Sequence, residues 1–154
     1  MTIEKLSQTI LAILPQKPPF RFLDRIIAVD ETSIVGEYTF KEDEYFYEGH
    51  FPGNKVTPGV IQIEAMAQTA VVAYGIYLLQ QEDAGNPRDY LTVFTDVQAE
   101  FFKEVKPGAK VTIRGEKIFW RRRKLRCKAF LYLANGELAA EATLSGLGVK
   151  HGAS

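Results

Sequence analysis

Apolar residues at Ile3, Leu6, Ile10 and Ile13 recur every three to four positions, the spacing of one helix face, and Pro15 ends the run. A short amphipathic helix over residues 3–14 is predicted. The period then changes. Phe22 to Val29 reads as a β-type run, and Ile34, Gly36, Tyr38 and Phe40 alternate with Val35, Glu37 and Thr39, the two-residue repeat of a strand. Lys41 to Glu44 forms a charged turn, and Tyr45 to Gly59 a loop punctuated by glycine and proline.

From Val60 to Leu79 the apolar residues cover almost every face, which predicts a helix enclosed on most sides. Thr57-Pro58 suits its start, with Thr at the N-cap and Pro at the first helical position. Ala65, Ala67, Ala70 and Ala73 leave room for a sheet or second helix to come close. The remainder reads as strands over Tyr90–Phe94, Val97–Phe102, Lys110–Trp120, Leu125–Leu133 and Glu137–Lys150. Val105-Lys106-Pro107-Gly108 is a turn signal, and Asn135-Gly136 is the favoured type I′ hairpin dipeptide. The expected class is α+β, an antiparallel sheet of five to seven strands around one long apolar helix.

A length of 154 residues, with 46% hydrophobic and 25% charged, fits a single soluble domain over 1–154 with a short tail from about 150. It does not fit a disordered, collagen-like or disulfide-stapled chain. Nineteen Lys and Arg balance nineteen Asp and Glu, so no global field draws the chain to nucleic acid or anionic lipid. Cys127 stands alone, which excludes an internal disulfide and fits a reducing cytoplasm. Glu4, Lys5, Ser7, Gln8 and Thr9 interrupt the opening apolar residues, unlike a secretory signal. Pro58, Gln62, Glu64, Gln68 and Gln80 interrupt the longest nearly uncharged stretch, Val56 to Gln81, and argue against a membrane span.

Glu64 is the only charge in that stretch. A carboxylate in an apolar setting must be paired, hydrogen-bonded or protonated, and a raised pKa suits a general acid. The plainer alternative is a carboxylate on a wet edge. Gln68, one turn further on the same face, either steadies Glu64 or faces water. His50 is the only histidine in the body of the chain, because His151 lies in a tail expected to fray. It is either a general base or a loop histidine bonded to nearby backbone. Two histidines so far apart give no metal-ligand spacing, so no metal site is expected. The Gly59 N–H, in the first turn of the helix, can face a developing oxyanion, although Pro-Gly often does no more than open a helix.

Arg121, Arg122, Arg123, Lys124, Arg126 and Lys128 put six charges into eight residues. The cluster reads as a solvated hairpin tip or as a docking patch for an acidic partner. Nucleic-acid binding is disfavoured, since the cluster is short and only Trp120 accompanies it.

Gly49-His50-Phe51-Pro52-Gly53, then Pro58-Gly59-Val60, then Glu64-Ala65-Met66-Ala67-Gln68 resemble the central signature of the β-hydroxyacyl-acyl carrier protein dehydratases of the FabZ type. Leu14-Pro15, Pro19-Phe20 and Asp24-Arg25 are similar to that family's opening motif, and Phe102-Lys103 with Val105-Lys106-Pro107-Gly108 to a later strand and turn. The resemblance runs from about Leu14 to Gly146. It implies a hotdog fold, a homodimer with a continuous sheet, assembled in some members into a hexamer of three dimers, and a cytoplasmic role in fatty-acid or related polyene or lipid biosynthesis. It implies acyl carrier protein as partner, with the substrate on phosphopantetheine and no metal or redox cofactor. His50 would remove the α-proton, the Gly59 N–H would hold the thioester oxygen, and Glu64 of the partner subunit would protonate the leaving hydroxyl, with Gln68 orienting it. Gly59 and Glu64 lie about 140° apart around the helix, which is compatible with a site shared between subunits. The carrier would dock on the cluster Arg121, Arg122, Arg123, Lys124 and Arg126.

Gln16, Lys17-Pro18, Arg21 and Thr57 depart from the family pattern without touching His50 or Glu64. Glu64 stands where related isomerising dehydratases carry Asp, which argues against bond migration. A hotdog thioesterase, or a non-catalytic acyl-binding hotdog protein, is the alternative.

Overall fold

The computed structural model describes residues 1–82 and 85–151. The part of the expected tail at 152–154 lies outside the described residues. Helix α1 (Ile3–Ile13) starts where the Thr2 side chain accepts a hydrogen bond from the Lys5 N–H at 3.2 Å. Its C-terminal carbonyls find a donor in Arg21, whose guanidinium reaches the carbonyls of Leu11 at 2.7 Å, Gln16 at 3.0 Å and Leu14 at 3.4 Å. That contact gives Arg21, one of the departures noted in the sequence, a structural role.

Strands β1 (Arg25–Val29), β2 (Ser33–Thr39), β3 (Tyr90–Phe101), β4 (Lys110–Arg121), β5 (Lys124–Leu133) and β6 (Leu138–Lys150) form one antiparallel sheet in the order β1-β2-β4-β5-β6-β3. β1 and β3 are therefore the edges. The β1 edge is covered by α1, where the Ser7 hydroxyl accepts the Ile26 N–H at 2.8 Å. The β3 edge has no such cover among the described residues.

One helical segment, Gly59–Glu82, lies against the sheet; it is α-helical over Gly59–Ala67 (α2), π-helical over Gln68–Ala73, and α-helical again over Tyr74–Glu82 (α3). By length and composition it could cross a membrane, but 72% of its most apolar window is buried within the protein, which makes it a core helix. The predicted alanines do bring the sheet close. Ala65, Ala67, Ala70 and Ala73 are all buried, and a Cβ on Gly115 of β4 would come 2.8 Å from the Ala70 Cβ and 3.0 Å from its Cα. Gly115 pairs with Ala129, and Ala129 with Ala142, so a row of small residues crosses the sheet beneath the helix.

Five expectations need correction. The two strands expected over Tyr90–Phe94 and Val97–Phe102 are one, β3, because a bulge between Phe94 and Asp96 absorbs the polar break. β1 begins at Arg25 rather than Phe22, because the Phe22 N–H is taken by the Gln68 side chain at 2.7 Å. Thr57 is not the helix cap. Its hydroxyl bonds the Tyr47 phenol at 2.6 Å and its N–H the Val105 carbonyl at 2.8 Å, so the helix opens at Gly59 behind Pro58. At Asn135-Gly136 only Gly136 is left-handed (φ 89°); the turn with two left-handed residues is Arg122-Arg123, at φ 51° and 62°. His151 does not fray: its N–H reaches the Asp89 carbonyl at 2.9 Å and its ring the Arg88 carbonyl at 3.0 Å.

Candidate active site

His50 sits half-buried in the loop that follows the short helical turn Tyr45–Glu48. Its Nδ1 lies 3.0 Å from the Val56 carbonyl, and a carbonyl can only accept. In the neutral ring the proton is thereby assigned to Nδ1 and the lone pair to Nε2, the tautomer a base would need. The loop closes on itself: the Phe51 N–H donates to the Asn54 carbonyl at 3.2 Å, and the Asn54 N–H returns to Phe51 at 2.9 Å. The His50–Phe51 peptide is cis, and the imidazole stacks on the Phe51 ring at 4.1 Å.

Glu64 projects from α2 and is half-buried. Gln68 reaches it, with Nε2 donating to Oε2 at 2.8 Å. The same fully buried amide donates to the Phe20 carbonyl at 2.9 Å and accepts from the Phe22 N–H at 2.7 Å. Gln68 is thus fixed by the backbone on one side and holds the carboxyl on the other. Burial pushes the Glu64 pKa above the ordinary carboxylate range, and the bond from Gln68 draws it partly back. The π-helical segment begins at Gln68, where the widened turn meets the Phe20–Phe22 backbone.

Glu64 opens into a cavity of about 260 Å³ between the central helix, the loop after α1 and β3, with Gln16, Phe20, Val72, Thr92 and Phe94 among its walls. The Gln16 amide oxygen is buried with no hydrogen-bond partner among the described residues. His50 is not on this wall. The structure therefore joins Glu64 to Gln68 but does not join His50 to Glu64 within one chain. Gly59 opens the helix, and a Cβ there would stand 3.0 Å from the Phe101 ring. The cavity walls Gln16, Phe20, Thr92 and Phe94 were missed as site residues. Gln16 carried a signal as a departure from the family pattern and Phe20 as part of the opening motif, whereas Thr92 and Phe94 carried none.

The basic cluster divides. Arg121, Arg122 and Lys124 surround a hollow of about 570 Å³ with Phe119 and Leu147, and this hollow shares no wall residue with the Glu64 cavity. Arg123 lies over the Tyr90 ring at 5.1 Å. Arg126 is committed to neighbours on its own sheet, the exposed Asp96 at 3.1 Å and the Ser145 hydroxyl at 2.9 Å. Among the described residues, no three His, Cys, Asp or Glu side chains converge as a metal site requires.

The family model for the FabA-like domain matches residues 14–143. The chain belongs to the FabA-like family. This FabA-like chain is 37% identical over 139 residues to the 3-hydroxyacyl-[acyl-carrier-protein] dehydratase FabZ of Thermus thermophilus, covering 88% of this chain and 92% of that protein. It is 36% identical over 131 residues to the FabZ of Acetivibrio thermocellus, with 84% of each covered. Among solved structures, the dehydratase heterocomplex ApeI:P from Xenorhabdus doucetiae superposes with a TM-score of 0.76 at 14% identity, over 92% of this chain and 91% of that one. The thioesterase HI1161 of Haemophilus influenzae gives 0.64 at 18%, over 99% and 96%. At such identities the likeness speaks for the fold, and the fold is the hotdog.

Proposed function

We propose that this chain dehydrates a 3-hydroxyacyl group carried on acyl carrier protein to the trans-2-enoyl thioester and water, in fatty-acid or related polyene or lipid biosynthesis. The observation that carries the reading is the Glu64 carboxyl, held by Gln68 in a largely apolar cavity with its pKa raised by burial. A carboxyl whose pKa is raised holds its proton more firmly than an exposed one, which suits a general acid. The 37% identity to a named dehydratase supports the same chemistry.

In the proposed step His50 Nε2 takes the proton from C2 of the thioester. Negative charge grows on the thioester oxygen, and the Gly59 N–H, in the first helical turn, donates to it. The C3–O bond breaks as the Glu64 carboxyl protonates the departing hydroxyl, and the C2–H electron pair becomes the new double bond. Solvent then returns the proton to Glu64 and removes it from His50. No electrons leave the substrate, so no metal or redox cofactor is proposed beyond the carrier's phosphopantetheine.

We further propose a homodimer in which His50 and Gly59 of one subunit meet Glu64 of the partner subunit. Two observations support it: His50 is off the wall of its own chain's Glu64 cavity, and β3 is a long uncovered edge bearing exposed Val93, Phe94, Val97 and Phe101. A second β3 would continue the sheet. The hollow formed by Arg121, Arg122 and Lys124 is the proposed seat for an acidic carrier protein. On this reading the enzyme acts in the cytoplasm, where buried Cys127 stays a free thiol.

The test is incubation of the purified protein with 3-hydroxybutyryl-acyl carrier protein, following enoyl product and free acid by mass spectrometry beside His50→Ala and Glu64→Ala. Enoyl product lost by a factor of about 10²–10⁴ in both variants is the expected result. Free acid as the main product replaces this reading with a thioesterase. Binding without any turnover replaces it with an acyl-binding protein.

A further inference from the structure

Two cavities lie end to end along one face of the central helix. The first is the Glu64 cavity of about 260 Å³. The second, only about 20 Å³, lies nearer the C-terminal end of the helix, beside Gly75, Ile76, Leu79 and Trp120. Val71 and Thr92 stand in the walls of both. Gly146 on β6 shows how tightly they close. A Cβ on Gly146 would lie 2.4 Å from Val71 Cγ1 and 2.7 Å from Thr92 Cγ2, so both side chains converge on the space that only a glycine leaves. Val71 is 2% exposed, and it sits seven residues, about 10 Å, along the helix from Glu64.

We infer that Val71 and Thr92 form the floor of the acyl-chain cavity and set the longest chain the site accepts. The inference rests on the dehydratase reading. With the C3 hydroxyl placed at Glu64, the carbons beyond C3 extend past Ala67 and Val72, which line the cavity on the helix face that leads to Val71. Each methylene that finds room there is worth roughly fourfold in kcat/KM. A chain that reaches the floor must displace a β-branched side chain packed on both sides, and close-packed interiors resist such overfilling. Past the floor the walls stay mostly apolar but the space is too small for a chain. The substrate class is therefore short- to medium-chain 3-hydroxyacyl groups, with Val71 and Thr92 as the specificity-determining pair.

The experiment measures kcat/KM for carrier-bound 3-hydroxybutyryl, 3-hydroxyoctanoyl and 3-hydroxydodecanoyl groups, on the full-length protein and on Val71→Ala and Thr92→Ile. Ratios between substrates on one preparation are unaffected by any loss of folded protein, and if one variant fails to fold the other decides. The unaltered protein should discriminate against dodecanoyl. Val71→Ala should raise the dodecanoyl-to-butyryl ratio at least tenfold, and Thr92→Ile should lower the octanoyl-to-butyryl ratio. Ratios unchanged in the variants while butyryl is turned over, or dodecanoyl used as well as butyryl by the unaltered protein, overturn the floor and leave the dehydratase standing. No turnover of any chain by the unaltered protein sinks both.

Discussion

Glu64 is held between two demands. Folding removes its carboxyl from water, which favours the protonated form, while Gln68 favours the ionised one; burial outweighs the bond, and the pKa stands above its ordinary value. A group whose pKa is raised on folding contributes stability that is complete below the unfolded pKa and is lost as pH climbs through the folded one. As pH climbs past the unfolded pKa the buried carboxyl therefore weakens the fold, because the unfolded chain gives up that proton more readily than the folded one. Glu64→Gln keeps the shape and removes the charge, so its Tm at neutral pH should exceed that of the unaltered protein. Its advantage should vanish in acid, and its dehydratase kcat should fall by about 10²–10⁴. Thermal melts at several pH values beside the turnover assay check this, and a Tm that falls equally at every pH would refute the account. That Glu64 is the lone charge of an apolar helix, with Gln68 one turn further on the same face, was legible in the sequence. The anchoring of Gln68 by Phe20 and Phe22 was not, because those residues lie far away in the chain and meet it only through tertiary packing.

Helix and sheet approach each other through small residues, and an added methyl there has nowhere to go. A Cβ on Gly115 would press on the Ala70 backbone at 3.0 Å, and backbone cannot swing aside. Gly115→Ala should cost about 1–3 kcal/mol, read from the urea midpoint at unchanged m-value. The spacing of the alanines foretold this approach, since it follows from helical periodicity alone. The π-helical turn over Gln68–Ala73 left no such local mark. Continuity of β3 was hidden for a similar reason: a bulge is a pairing event, and its partners on β6 lie some fifty residues on. The β4–β5 turn shows the reverse case, local chemistry overridden. Arg122 and Arg123 both take left-handed backbone, which costs a non-glycine residue about 1–2 kcal/mol, while the better-suited Asn135-Gly136 serves another hairpin. Replacing Arg122-Arg123 by Asn-Gly should raise stability by roughly that amount. If the tip seats the carrier, the same exchange raises KM for carrier-bound substrate while leaving kcat nearly unchanged. Equal KM values would remove the tip from carrier recognition.

At the scale of the whole molecule, the sequence reads as a list of parts whose assembly it does not state. His50, Gly59, Glu64 and Gln68 follow one another within a short span, yet the cavity that receives Glu64 is completed by β3 and by the loop after α1. His50 is not among its walls. In the proposed dimer the long edge strand, with its exposed apolar residues, has a use beyond pairing, because the second copy brings its Glu64 to this chain's His50. A twofold dimer makes this quantitative. Mix inactive His50→Ala with inactive Glu64→Ala, unfold or dissociate them together, and let them reassemble. Half of the dimers then carry one of each chain. In each such dimer one site takes its histidine from the Glu64→Ala chain and its carboxylate from the His50→Ala chain, and is whole; the other site lacks both. Activity should therefore return to roughly a quarter of the unaltered level at equal mixing. Excess of either variant should lower it, since activity follows the fraction of mixed dimers. If both groups of a site came from one chain, every site in every dimer would lack one of them, and mixing would restore nothing. Recovery that tracks the mixed-dimer fraction across mixing ratios thus reads out, from two dead proteins, which chains build each site.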